Sequence, residues 1–261
     1  MDLSFLLVII LVFSTGFLFA PLGLGGGLLF VPILYYVAGF PLDSSTLVLS
    51  LLLTGCVSYG SGFVHYREGL IDFDRILVGA PSALIGCVIG AIIVNSLGTS
   101  IDTVFKILAF LIISWAIVKT SRRISHGRTL SQGGENRRIG LVLGTGFGGM
   151  ASSVLAIGAG AIYIPVLNQF GGLESRRAIG TSLGLMMVVV PISVLTHALL
   201  FNGNWPNFSY IFGLPLSVIF GSVIGAKIGL KLSEKNLLIG FILVLSIVLI
   251  RYLVDLFSLF F

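Results

Sequence analysis

Apolar residues fall into eight blocks along the chain, separated by short polar stretches. The blocks are Leu3–Ala38, Leu47–Val64, Ile76–Ser96, Val104–Val118, Ile139–Phe170, Ala178–Leu200, Phe208–Leu230 and Leu237–Phe257. Runs such as Ile107 to Val118 and Leu237 to Ile250 are unbroken. Transmembrane β-strands instead alternate in polarity over segments of roughly ten residues, so the pattern predicts helices. A helix crosses a bilayer in about 20 residues. The first block, with 36 residues, and the fifth, with 32, are too long for one crossing. Each is interrupted midway by glycine: Gly23-Leu24-Gly25-Gly26-Gly27 in the first, Gly144 through Gly160 with Ser152-Ser153 in the fifth. A glycine in a helix interior costs about 1 kcal/mol against alanine, so these clusters predict breaks or turns.

The pattern also repeats. Gly25–Leu34 matches Gly158–Leu167 at an offset of 133; Ser50, Ser61 and His65 match Ser182, Ser193 and His197 at 132. Pro81 matches Pro215 at 134, and Gly86–Ala91 matches Gly221–Ala226 at 135. The expected organisation is a first membrane repeat over 1–118, a basic linker over 119–138 and a second repeat over 139–261.

Composition agrees with the pattern. The chain is 56% hydrophobic and 10% charged, where a soluble domain carries about 25% charged residues. A soluble domain, a disordered chain and a collagen-like or disulfide-stapled protein are excluded. The two cysteines, Cys56 and Cys87, lie in apolar runs and read as packing residues. The chain starts Met1-Asp2-Leu3 with no basic residue before the first block and no small-residue cleavage site after it, so a cleaved signal is not expected.

Charge sets the expected orientation. The net charge is +5, and the basic residues cluster beside the blocks, which predicts cytoplasmic anchoring rather than nucleic-acid binding. If each long block crossed once, eight Lys and Arg would lie inside and six outside, with no asymmetry. If each doubles back at its glycines, thirteen lie inside, leaving outside only Lys106, in a loop, and Arg251. The doubled-back arrangement satisfies the positive-inside rule. Each half then has five membrane segments, an odd number, and the second half enters from the opposite side. The predicted fold is an all-α polytopic membrane protein of two inverted-topology repeats. Each repeat has a glycine-broken hairpin or re-entrant first segment plus three transmembrane helices. The linker is placed in the cytoplasm and both termini outside.

Three groups of residues carry candidate chemistry. After each glycine break a short helix restarts, near Leu28 and Ala161. Its first amides lack intrahelical partners and carry the positive end of the helix dipole. Two such ends would make an anion site from Gly25, Gly26, Gly27, Gly158 and Gly160 without any buried charge, or else the glycines serve close helix packing. The second group is a polar stripe: Ser50, Thr54, Ser58, Ser61 and His65, spaced 4, 4, 3 and 4, share one helix face, and Ser182, Ser193 and His197 share another. Their hydroxyls either meet a substrate or bond between helices. His65 and His197 lie near span ends, at the expected interface, and are candidates for proton coupling. Third, Pro32 and Pro165 are expected to break or bend the short helices.

Acidic residues are missing from 3–42, 136–173 and 175–233, which favours an anionic substrate. Gly144-Thr145-Gly146-Phe147-Gly148-Gly149 satisfies the G-x-G-x-x-G pattern, but it lies in a membrane block with no acid until Glu174, so nucleotide binding is not expected. Asn207-Phe208-Ser209 is a formal glycosylation sequon against a span and is given no weight.

The Gly23–Pro32 segment, the related Gly158–Pro165 segment, the Gly180-Thr181-Ser182-Leu183 run and the paired Gly-x-x-x-Gly-Ala segments resemble the TauE/SafE family, the sulfite exporters, over nearly the whole chain. Members of this family are permeases for small sulfur-containing anions such as sulfite and organosulfonates. The resemblance implies a plasma-membrane transporter, not an enzyme, working by alternating access, with Thr181, Ser50 and Ser182 as hydroxyl donors. No cofactor or metal is implied. Export would run on the membrane potential or a proton gradient, so protons are a candidate coupling ion, and an oligomer stays open. The first half has Val48-Leu49-Ser50 where the second has Gly180-Thr181-Ser182, so the halves are expected to contribute unequally. A small-anion channel, or an exporter of another small metabolite, is the alternative.

Overall fold

The computed structural model describes residues 3–97, 101–125, 137–201, 205, 208–231 and 234–260. Among them there is no strand, and the chain forms ten helices. These are α1 (Leu3–Phe19), α2 (Gly27–Pro32), α3 (Ser44–Arg67), α4 (Phe73–Leu97), α5 (Ile101–Ser125), α6 (Arg138–Leu155), α7 (Gly160–Gln169), α8 (Ser175–Leu200), α9 (Phe208–Gly229) and α10 (Glu234–Phe260). The protein is therefore all-α and polytopic, and seven of the described helices are long and apolar enough to span a bilayer. Residues 126–136 of the expected linker lie outside the described residues.

Both long blocks double back. In the fifth block, the Arg137 amide, before α6, donates to the Phe170 carbonyl, after α7, at 2.9 Å. Gly140, Gly144 and Gly148 of α6 face Phe170, just after α7, and Val166 and Tyr163 within it, in antiparallel order. Phe5, near the start of the first block, and Phe40, two residues past its end, both pack edge-on against Tyr210, with centroids at 4.9 and 4.8 Å. Pro32 and Pro165 differ in effect. After Pro32 the chain widens into a π-turn over Ile33–Val37, closed by the Ala38 amide on the Ile33 carbonyl at 3.1 Å. After Pro165, α7 continues as an ordinary helix for four more residues, so the expected break is absent there. Proline removes one amide donor, but its fixed φ near −65° is itself helical, so the following turn can be kept.

Glycine lets the hairpins pack on their neighbours. Gly86 and Gly90 of α4 admit the carbonyls of Gly146 and Met150 of α6; Gly221 and Gly225 of α9 admit those of Phe13 and Phe17 of α1. A methyl on Gly90 would lie 2.6 Å from the Met150 oxygen. Small residues at such crossings replace the hydrophobic drive that lipid abolishes. The G-x-G-x-x-G run is used the same way. Gly144 and Gly148 face α7, while Gly146 and Gly149 face Ser82 and Ala83 of α4.

Helix α3 sits at the centre. Of its apolar window 78% is buried, against 44% at most in any other span. It packs on α8, with Gly55 against Val190, Gly62 against Leu183, and the Tyr59 hydroxyl donating to the Met187 carbonyl at 2.9 Å. Numbers rise in α3 as they fall in α8, so these two helices, which hold matching places in the repeat, run antiparallel. On the outside, Leu77, Ile85, Phe220, Leu216 and Ile247 are exposed apolar side chains, as expected for surfaces that face lipid.

One charge lies where the pattern did not place it. Lys106, expected in an outside loop, is buried in α5, where its Nζ donates to Asp102 Oδ2 at 2.9 Å and to the Tyr35 hydroxyl at 3.1 Å. Asp255 of α10 lies 3.9 Å from the same Nζ and accepts from the Tyr36 hydroxyl at 2.8 Å. The cluster ties α5 and α10 to the π-turn.

Candidate functional site

Each break is made by three residues in the left-handed region: Gly23, Gly25 and Gly26 in the first, Ala156, Gly158 and Ala159 in the second. The offset of 133 holds for all three pairs. Ala156 (φ 53°) and Ala159 (φ 56°) adopt this conformation despite their Cβ atoms, which costs about 1–2 kcal/mol each. The left-handed pattern is therefore a property of the break itself. These two alanines help to make the second break but were not picked out from the sequence, because alanine carries no signal for a left-handed turn.

The two breaks meet. A methyl on Gly158 would lie 3.8 Å from the Gly25 Cα. A methyl on Gly27 would strike the Ala156 carbonyl oxygen, and one on Gly160 would strike that of Gly23. Thus Gly25, Gly27, Gly158 and Gly160 are needed for the contact between the breaks, whereas a methyl on Gly26 would meet the Phe30 ring of its own half. Among the described residues, the amides of Gly25, Gly26, Gly27 and Leu28, and of Gly158, Ala159, Gly160 and Ala161, meet no protein acceptor. In each short helix the earliest inward bonds come later, from Leu29 and Phe30 to Gly26, and from Ile162 and Tyr163 to Ala159. Bare amides at a helix start favour negative charge.

The serines expected as substrate donors are braces. Ser50 of α3 donates to the Ala156 carbonyl at 3.0 Å, and Ser182 of α8 donates to the Gly23 carbonyl at 3.0 Å. Each half ties down the break of the other, and the two bonds exchange under the repeat. Thr181 points elsewhere in the network: its hydroxyl oxygen accepts from the Asp72 amide at 2.9 Å, while Gly180 admits the Leu70 backbone. With Arg177 on Asp72 at 3.1 Å, this run clamps the loop between α3 and α4.

Both histidines are buried within the protein. His65 is 1% exposed, with Nδ1 2.9 Å from the Ser61 carbonyl oxygen. His197 is 2% exposed, with Nε2 3.0 Å from both the carbonyl and the hydroxyl of Ser153. Ser61 donates to the Ala20 carbonyl, while Ser193 donates to the Ser153 hydroxyl, so the second half replaces an alanine with a serine at this place. Beside the first break a small cleft, of about 10 Å³, is lined by Gly27, Leu28, Phe105, Ile113, Leu155 and Tyr252. Among the described residues no group of three or more His, Cys, Asp and Glu is placed to hold a metal.

Apolar helices, seven of the described ones long enough to span a bilayer, packed around two touching helix breaks make an integral membrane protein, and the comparisons give its family. The profile of the sulfite exporter TauE/SafE family matches residues 8–252, and the chain belongs to that family. It is 29% identical to a "Probable membrane transporter protein" of Haemophilus influenzae, over 95% of this chain and 98% of that one. A "Probable membrane transporter protein" of Methanocaldococcus jannaschii is 26% identical over 88% of each chain, and that named YunE of Bacillus subtilis is 24% identical over 95% of each. No solved structure matches the chain.

Proposed function

We propose that the protein is a secondary transporter that exports a small sulfur-containing oxyanion, such as sulfite or an organosulfonate, by alternating access. The substrate sits where the two breaks meet, held by the amides of Gly25–Leu28 and Gly158–Ala161. The observation that carries this reading is the contact of Gly25 with Gly158 between two short helices whose first amides are unused. An anion held by dipoles alone binds without a cation whose desolvation would resist release.

The same proposal makes the halves inverted repeats in the plasma membrane, with the linker in the cytoplasm and both termini outside. The antiparallel course of α3 and α8 and the exchanged Ser50 and Ser182 bonds support it. Two inverted halves that pack alike can exchange conformations, which opens the shared site to either side in turn. Protons are the proposed coupling ion. The test is uptake of labelled sulfite, sulfate, sulfoacetate and taurine into proteoliposomes, with and without a pH gradient. Saturable uptake of a sulfur oxyanion with trans-stimulation is expected. Flux without saturation would mark a channel, and no uptake of any of them would end the reading.

A further inference from the structure

With Ser50 and Ser182 committed to carbonyls, the site needs another source of side-chain selectivity. Three buried hydroxyls have no partner among the described residues: Thr54, Ser152 and Tyr163. Of these, Thr54 touches both breaks. Its Cγ2 lies 3.0 Å from a methyl built on Gly25 and against one built on Gly158. Its side chain is fully buried. A threonine inside a helix usually returns its hydroxyl to the carbonyl three or four residues back. Thr15 and Thr145 do so here, on Leu11 and Leu141, whereas Thr54 does not. The neighbours on its stripe are all spoken for: Ser50 on Ala156, Ser58 on the Thr54 carbonyl, Ser61 on Ala20. A lone buried hydroxyl is unfavourable unless something arrives to bond it.

The repeat supplies the other wall. Met186 stands 132 residues after Thr54, in the matching turn of α8, and its Sδ touches the same two glycines, at 3.1 Å from a methyl on Gly25 and 3.0 Å from one on Gly158. One wall of the site therefore presents the Thr54 methyl, with the unpartnered hydroxyl on the same β-carbon, and the other a thioether that donates no hydrogen bond.

Resting on the oxyanion reading above, we propose that Thr54 and Met186 set the selectivity of the site. With χ1 turned so that its hydroxyl takes the place of its methyl, Thr54 donates to one substrate oxygen, and Met186 receives the substrate's non-bonding face. That face is the sulfur lone pair in sulfite and the carbon in a sulfonate. Sulfate has oxygen on every side and would leave one unpaired against the thioether. Sites discriminate strongly against a ligand that leaves a polar group unpaired.

The experiment is uptake of radiolabelled sulfite into proteoliposomes with unlabelled methanesulfonate or sulfate as competitor, beside thermal stabilisation of the purified protein by the same three anions. Methanesulfonate is expected to compete about as well as sulfite, and sulfate about tenfold less well. Thr54→Val should raise the sulfite KM about tenfold while leaving the melting temperature unchanged or higher, since it removes an unpaired hydroxyl. Thr54→Ser should stay close to wild type. Met186→Gln, which adds a donor, should bring sulfate to within roughly threefold of sulfite. A wild-type KM in a folded Thr54→Val protein, or equal competition by sulfate, would overturn the assignment and leave the oxyanion reading standing. A wild-type protein neither transporting sulfite nor stabilised by any of the three anions would overturn both.

Discussion

At the scale of single residues, the breaks depend on which positions lack a Cβ and which merely turn. Gly158 is left-handed, and a methyl there meets Thr54 and Met186. Gly158→Ala therefore combines a left-handed penalty of about 1–2 kcal/mol with a clash and should abolish transport. Ala159 pays the same backbone penalty without being glycine. Ala159→Gly should stabilise the protein by up to about 1 kcal/mol and keep transport, read as a higher melting midpoint in detergent. A lower midpoint would mean that the alanine conformation is not strained. The glycines were legible in the sequence because they cluster and recur. The alanines were not, because nothing in an alanine announces a positive φ that its neighbours impose.

At the scale of elements, helix pairs are held by glycine crossings and by one buried ionic cluster. Gly149 of α6 lies on the Ala83 carbonyl of α4, whereas Gly240 of α10 has nothing within 4 Å. Gly149→Leu should prevent recovery of folded protein. Gly240→Ala should raise stability by roughly 0.8–1 kcal/mol through helix propensity alone, a difference that expression and melting would reveal. Lys106 links α5 to α10 through Asp102 and Asp255. Lys106→Met takes the cation from Asp102 and from Asp255, which keeps Arg251 at 3.9 Å, and should cost about 1 kcal/mol, of which adding Asp255→Asn should recover part. An unrescued loss would place the lysine's contribution in packing rather than charge. Asp102 stands one helical turn before Lys106, but the second carboxylate, Asp255, is 149 positions away, and no local pattern encodes that distance.

At the scale of the whole molecule, the repeat is carried by contacts between the halves as well as by similar segments within them. Helix α1 packs on α9 as α6 packs on α4, and Ser50 and Ser182 each secure the opposite break. The proposed inverted arrangement puts the loop after α3 and the loop after α8 on opposite sides of the membrane. In a chain freed of Cys56 and Cys87, Glu68→Cys should react with an impermeant maleimide only from the cytoplasmic side, and Trp205→Cys only from the outside. Labelling of both from one side would show that the halves are threaded alike.

Hydrophobic run length, glycine clusters and the 132–135 offset by themselves determined the helical class, the two doubled-back segments and the duplication. These are properties of local chain and bilayer thickness, which any fold of the chain has to satisfy. Tertiary structure alone decided which polar groups are free. The hydroxyls of Ser50, Thr54 and Ser182 are alike in one dimension. Two of them find carbonyls over a hundred positions away, and one finds nothing. A hydrogen bond is set by distance and angle in space, so the division between brace and candidate ligand exists only once the halves have closed on each other.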